Sequence, residues 1–172
     1  MRTAFIVFLL GSFLSIFQPA HANSPAVDPV SEVQESIISV VAREGNFSTF
    51  LDLLATAGLT DSLMRDGPYT VFAPTNEAFA THLYDTSVED LKKPENAQRL
   101  RDILLHHLVR DRITRADIDG NKIFETEDNV TINIMPRGDE IHINQAKIIS
   151  ADIAASNGVI HAIDNVLIPI SH

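Results

Sequence analysis

"YTVFAPTNEAF", residues 69–79, is the stretch whose reading decides the fold of this chain. Tyr69 to Ala73 (Tyr69, Thr70, Val71, Phe72, Ala73) is a run of aromatic, apolar and β-branched residues bounded by Gly67-Pro68 and by Pro74, which predicts a strand. Pro74 has no N–H and drives Ala73 toward extended backbone, so the strand ends there. Thr75 then stands where its oxygen can accept from an otherwise unpaired N–H in the first turn of a helix running through Ala80. The stretch reads as a strand-to-helix hinge. Neither Thr75 nor Glu77 has a base or a metal ligand near it in sequence.

Helical signals lie on both sides of this hinge. "SEVQESIISVVARE" (31–44) has Ser31 and Gln34 at capping-box spacing and Val33, Ile37, Ile38 and Val41 on one face, with Gly45 to end it. "FSTFLDLLATAG" (47–58) repeats the pattern. "SVED" (87–90) predicts a short helix, and Pro94 suits the first turn of a longer one, "PENAQRLRDILLHHLV" (94–109). From Arg112 the period changes. "NVTINIM" (129–135) and "EIHIN" (140–144) alternate apolar and polar residues around the four-residue turn "PRGD", and "AKIIS" (146–150) and "GVIHAIDNVLIPI" (158–170) supply further strands. Helices followed by strands, without regular alternation, predict an α+β class.

The first residues read as an export signal. Met1-Arg2 is a positive start, Ala4 to Leu10 and Phe13 to Phe17 are apolar, and Ala20-His21-Ala22 is a small-x-small cleavage pattern, so cleavage is expected after Ala22. Residues 23–30 form a Pro- and Ser-containing flexible leader, and 31–170 one domain. Beyond Ala22 the charge is 12 basic against 23 acidic residues, or −11, which argues against nucleic acid and anionic membrane as partners. No later run approaches the roughly 20 apolar residues of a membrane-spanning helix, so no membrane insertion is expected. With no cysteine there is neither a disulfide nor a lipid-bearing thiol, and stability must come from a packed core.

Read together, "YTVFAPTNEAF" (69–79) and "NGVIHAIDNVLIP" (157–169) closely resemble the paired signature segments of the fasciclin-type domain. "NFSTFLDLLATAGLTDSL" (46–63) is similar to that family's helical lead-in, and "ILLHHLV" (103–109) sits where the family has a Tyr-His pair. The resemblance implies helices packed on a wedge of two β-sheets, with the signature segments as neighbouring strands near the centre. It also implies adhesion: a secreted or periplasmic module, without cofactor or metal, that binds a cell-surface or extracellular-matrix protein or glycan; the oligomeric state is left open, a monomer being favoured. On this reading Thr70, Val71, Phe72, Ala73, Pro74, Thr75, Asn157, Gly158, His161 and Asp164 are structural.

Three places are candidates for partner binding. Asp152 and Ile153 match an Asp-Ile pair that the resemblance links to integrin recognition; the plainer alternative is that Ile153 fills core and Asp152 caps a turn. His107 matches the family's His, while His106 stands where Tyr is usual. Neighbouring residues of a helix point about 100° apart, so the two imidazoles are poorly placed to chelate one metal. Arg137, Gly138 and Asp139 spell an adhesion tripeptide at a hairpin tip, where Gly138 is equally explained by the turn. His161 reads as a hydrogen-bonded core histidine. Asn46-Phe47-Ser48 and Asn129-Val130-Thr131 fit the glycosylation pattern.

Motifs for nucleophile elbows, zinc proteases, phosphate loops and dinucleotide binding do not occur. A non-catalytic adhesion module is the expectation. A polysaccharide or small-ligand receptor would instead need a concave pocket with converging polar groups, and a hydrolase a clustered triad or carboxylate pair.

Overall fold

The strand expected at Tyr69 is β1, Tyr69–Pro74, in a computed structural model of the chain that describes residues 35–83 and 86–169. All of its residues are buried. It runs parallel to β7, Gly158–Ile163, which is buried throughout as well, with Tyr69 opposite Gly158 and Phe72 opposite His161. The two signature segments are therefore adjacent strands, second and third in the order of the sheet and buried throughout. Strands covered on both faces carry continuous apolar runs instead of alternation, and that is the pattern both show.

The remaining strands are β2 (Leu108–Val109), β3 (Lys122–Glu125), β4 (Thr131–Arg137), β5 (Glu140–Ile143) and β6 (Ala146–Ala155). Hydrogen bonds join all seven in the order β2-β1-β7-β6-β5-β4-β3, and only β1 and β7 are parallel. The expected wedge of two sheets is not confirmed: the hydrogen bonds run through one continuous ladder. Its continuity comes from β6, which pairs with β5 at its start and with β7 along its length, with register shifts between Ile148 and Ser150 and between Ser150 and Ile153. Such irregularities bend a strand and sharpen its twist. The ladder nearly closes on itself, since the Glu127 N–H, just beyond β3, donates to Leu108 O in β2 at 2.9 Å.

Two apolar clusters flank the central strands. Tyr69, Val71 and Ala73 of β1, with Ile160 and Ala162 of β7, pack among the helices. Phe72 and Ile163 face the other way, onto Ile132, Ile134, Ile141 and Ile143. The helices are α1 (Ile37–Glu44), α2 (Ser48–Thr56), α3 (Thr60–Arg65), α4 (Asn76–His82), α5 (Val88–Leu91) and α6 (Ala97–Leu105). Thr75 caps α4, its Oγ1 accepting from Ala78 N at 3.3 Å, and Ser87 caps α5 by accepting from Asp90 N at 3.0 Å. Pro94 opens a single 3-10 turn, Pro94–Asn96, that leads into α6.

Several boundaries differ from the sequence reading, each for a local reason. Helix α1 starts at Ile37 with Ser36 as its cap; the Ser31–Gln34 pair, the leader and the export signal lie outside the described residues. The β4–β5 turn is tighter than "PRGD". Pro136 and Arg137 belong to β4, opposite Ile141 and Glu140, and Gly138 at φ 64° takes the left-handed backbone that a two-residue turn demands. Strand β6 continues through Ala155, five residues beyond "AKIIS", because its two irregularities break the alternation that marks a strand. Strand β7 stops at Ile163, since Asp164 turns back onto β6: its Oδ1 accepts from Lys147 N at 2.8 Å. Strand β3, with Ile123 exposed at an edge, carries no sequence signal strong enough to announce it.

Gly158 is where the two signature strands touch. A methyl group there would lie 2.0 Å from Tyr69 O and 2.9 Å from Ile37 Cδ1, so a side chain would force β7 away from β1. Gly158→Ala is expected to destabilise the fold by about 3 kcal/mol, the upper range of overpacking, whereas Gly120→Ala, with nothing within 4 Å of its Cβ position, should change stability by less than about 0.5 kcal/mol. Equal urea midpoints for the two variants would refute the steric account. Thr75→Ala should lose about 1 kcal/mol, the usual value of a helix cap; a melting curve superimposable on the parent's would remove the cap assignment.

Candidate recognition face and groove

The polar side chains of the central strands are occupied internally. Thr70 Oγ1 donates to Asp111 O at 2.6 Å and accepts from Ile113 N at 2.8 Å. His161 Nε2 donates to Ile113 O at 2.8 Å while its Nδ1 accepts from Asp152 N at 3.3 Å, and its ring stacks on Phe72 with centroids 5.6 Å apart. Asn157, in the turn between β6 and β7, accepts from Ile37 N at 2.9 Å and donates to Leu63 O at 2.5 Å and Asp66 O at 3.1 Å. One amide thereby satisfies the start of α1 and the end of α3, where helices leave backbone groups unpaired.

His107 is enclosed completely. It bonds Ile103 O through Nδ1 at 2.7 Å, and its Nε2 accepts the Leu167 N–H at 3.0 Å. The residue cannot offer a surface to a partner, so its place among the binding candidates gives way to a structural one. Burial pulls its pKa down to about 4, because an imidazolium there would lose hydration and could no longer accept from Leu167. Burial also lowers His161, despite the Ile113 carbonyl, and His106, despite Asp128.

The other candidates gather around a residue that the sequence reading passed over. Arg115 opens a 3-10 turn, Arg115–Asp117, whose start is closed by a capping box between Thr114 and Asp117. Its backbone N–H donates to Asp152 Oδ1 at 2.8 Å, and its guanidinium Nη2 donates to Asp139 O at 3.0 Å. Arg115 therefore ties the Arg137-Gly138-Asp139 tip to Asp152, positions far apart in sequence. All three tip residues are exposed, and the side chains of Arg137 and Asp139 have no partner among the described residues. Asp152 is exposed, at φ 59°, where β6 breaks register. Ile153 is half-buried and packs onto the helix-side core.

A groove of about 1320 Å³ lies between the end of α6, the turn after β3, the β5–β6 turn and residues 165–169. Inside it His106 Nδ1 meets Asp128 Oδ2 at 3.0 Å. His106 and His107 thus diverge, one toward the groove and one into the core. Among the described residues no group of three or more His, Asp or Glu side chains comes together as a metal site, and no helix is long and apolar enough to cross a membrane.

A mixed seven-strand sheet, covered by helices and centred on a parallel pair whose polar groups are consumed in its own frame, defines a class of small modules built around a rigid interior. The Fasciclin domain family profile matches residues 45–169, and the chain belongs to that family. It is 40% identical over 134 residues to Protein sll1483 of Synechocystis sp., covering 78% of this chain and 73% of that one. It is 37% identical over 141 residues to the transforming growth factor-beta-induced protein ig-h3 of Sus scrofa, with 81% of this chain aligned to only 20% of the longer protein. Among solved structures it is similar to a FAS1 domain pair from the insect cell adhesion molecule Fasciclin I, with a TM-score of 0.57 at 23% identity, over 73% of this chain and 46% of the other.

The histidines predict acid sensitivity. A histidine whose folded pKa lies below its unfolded value near 6.5 binds fewer protons when folded, so its contribution is intact above pH 6.5 and declines as pH falls toward the folded value. For His107 that window runs from 6.5 to about 4 and corresponds to about 3 kcal/mol. His161 and His106 act in the same direction. Urea midpoints are expected to drop steadily from pH 7 to pH 4.5, and a flat profile over that range would contradict neutral, buried imidazoles.

Proposed function

We propose that this chain is an exported adhesion-type module that recognises a cell-surface or extracellular-matrix protein or glycan through exposed loops and does not turn over a substrate. Residues 1–22 serve as the cleaved signal, 23–30 as a flexible leader and 31–170 as the working domain, which acts as a monomer. One observation carries the reading: Arg137-Gly138-Asp139 is presented at a two-residue turn and tied through Arg115 to the exposed Asp152, while the polar groups beneath it are already bonded. A rigid scaffold with exposed charged loops is the usual arrangement of a binding protein. The structural relative is itself named as a cell adhesion molecule, which supports the same reading. Ile153 contributes from below by seating β6 on the core, so Asp152 supplies the contact and Ile153 its position.

Attachment of integrin-bearing cells to immobilised residues 23–172 tests this directly. Asp139→Glu should reduce attachment about tenfold, the loss of one charge-assisted contact. Arg115→Ala should reduce it similarly by releasing the tip, with little change in melting temperature. Undiminished attachment of both variants would rule out the hairpin face.

A further inference from the structure

The groove beside α6 takes no part in the hairpin face, and its chemistry points to a ligand of its own. His106 is only 2% exposed. Its Nδ1 is held by Asp128, and its Nε2 has no partner among the described residues although the ring lines the groove. A neutral imidazole that donates from Nδ1 to a carboxylate keeps a lone pair on Nε2. A residue of the groove lining therefore carries an unused acceptor, on a ring held by Asp128, that can take an O–H or N–H brought by something else.

The charges of the lining narrow the class. Asp102, Glu127 and Asp128 all border the groove, yet each carboxylate is already engaged: Asp102 by Gln98, Glu127 by Arg110, and Asp128 by His106 and Thr126. Each carboxylate thus already accepts from a protein donor, which lessens its pull on a cation. No lysine or arginine lines the groove, so an anion would meet carboxylates without a compensating base. The hydrogen-bonding groups the lining leaves unused include the uncharged ones of His106, Asn144, Gln145 and Asn165, which suits an uncharged ligand.

The walls narrow it further. Asn144 and Asn165 each use their side-chain oxygen on a backbone N–H, at 3.0 Å from Asn133 and 2.8 Å from Val166, which leaves the amide NH2 groups as donors. Gln145, exposed between them in the lining, has no side-chain partner among the described residues. The same lining holds apolar side chains, Leu105 and Ile168 among them, the latter 42% exposed. Amide donors, one oriented acceptor and apolar side chains in one lining match a molecule with hydroxyls on its rim and C–H groups on its faces. At about 1320 Å³ the groove exceeds the roughly 300–1,000 Å³ of an ordinary small-molecule pocket, which suits several linked units better than one.

We propose that this groove binds an uncharged oligosaccharide, with His106 Nε2 accepting a hydrogen bond from a ligand hydroxyl and Gln145 bonding a neighbouring one. The site stands independently of the hairpin face, so each can fail without the other.

Isothermal titration of the full-length chain with cellohexaose, laminarihexaose, mannohexaose and chitohexaose, and with hexagalacturonate as the charged counterpart, tests it. At least one neutral hexasaccharide is expected to bind, and hexagalacturonate is not. His106→Phe and Gln145→Ala should each weaken that binding about tenfold, the loss of one hydrogen bond to a buried or oriented group. Gly120→Ala, outside both sites, should leave it unchanged. Gln145 is a surface residue without structural bonds, so its variant decides the matter if His106→Phe does not fold. The proposal is overturned if none of the four neutral sugars binds at millimolar concentration, if the charged sugar binds as well as they do, or if Gln145→Ala binds like the parent.

Discussion

Both signature strands hold the same residue. The Ile113 N–H is bonded by Thr70 of β1 and the Ile113 carbonyl by His161 of β7. Ile113 is buried and belongs to no strand, so its backbone groups have no ladder to join. A buried backbone donor and acceptor must find partners or cost free energy on the scale of a lost hydrogen bond. Two side chains from adjacent strands do here what a neighbouring strand does elsewhere. This accounts for a threonine and a histidine in positions that are otherwise apolar and completely enclosed.

The pinned segment links the interior to the surface. Two residues beyond Ile113, Arg115 begins the short turn that grips both Asp152 and the hairpin tip. His161 grips the same region from below, because its other nitrogen accepts from Asp152 N. The backbone of Asp152 therefore rests on the core histidine, while its carboxylate receives the turn above. Its left-handed conformation is a strained one for a non-glycine residue and persists when surroundings over-determine it. Anchored on the one side by a buried ring and on the other by an N–H, Asp152 is determined in this way.

The central pair was legible because its signals are local: aromatic and β-branched runs, a proline that stops a strand, a threonine that starts a helix. The caps at Thr75 and Ser87 follow from the same kind of evidence. What stayed hidden depends on contacts between distant segments. Arg115 looks like any surface arginine until β4, β5 and β6 bring Asp139 and Asp152 to it. Asn157 reads as turn punctuation, and only the packing of α1 and α3 against the β6–β7 turn makes it a double cap. The extent of β6 was obscured by its own irregularities, since a register break reverses which side chains face inward. The single continuous sheet could not be inferred from strand count, because one bulged strand shared between two ladders looks no different in sequence from two.

The pair His106-His107 shows how such a frame permits variation. Consecutive residues at the end of α6 point in different directions, and here one ring enters the core while the other borders the groove. His107, the residue that agrees with the family pattern, is fixed by Ile103 and Leu167 and sits against Phe50 at 6.0 Å, so any replacement must satisfy two backbone groups in a closed space. His106 has one nitrogen bonded within the protein and one without a partner among the described residues. A change at that position alters the lining of the groove and gives up the bonds of Nδ1 to Asp128 and Thr126, but touches no strand ladder. The two positions thus differ in what the fold asks of them: at 107 both ring nitrogens are engaged by backbone groups, at 106 only one nitrogen is engaged.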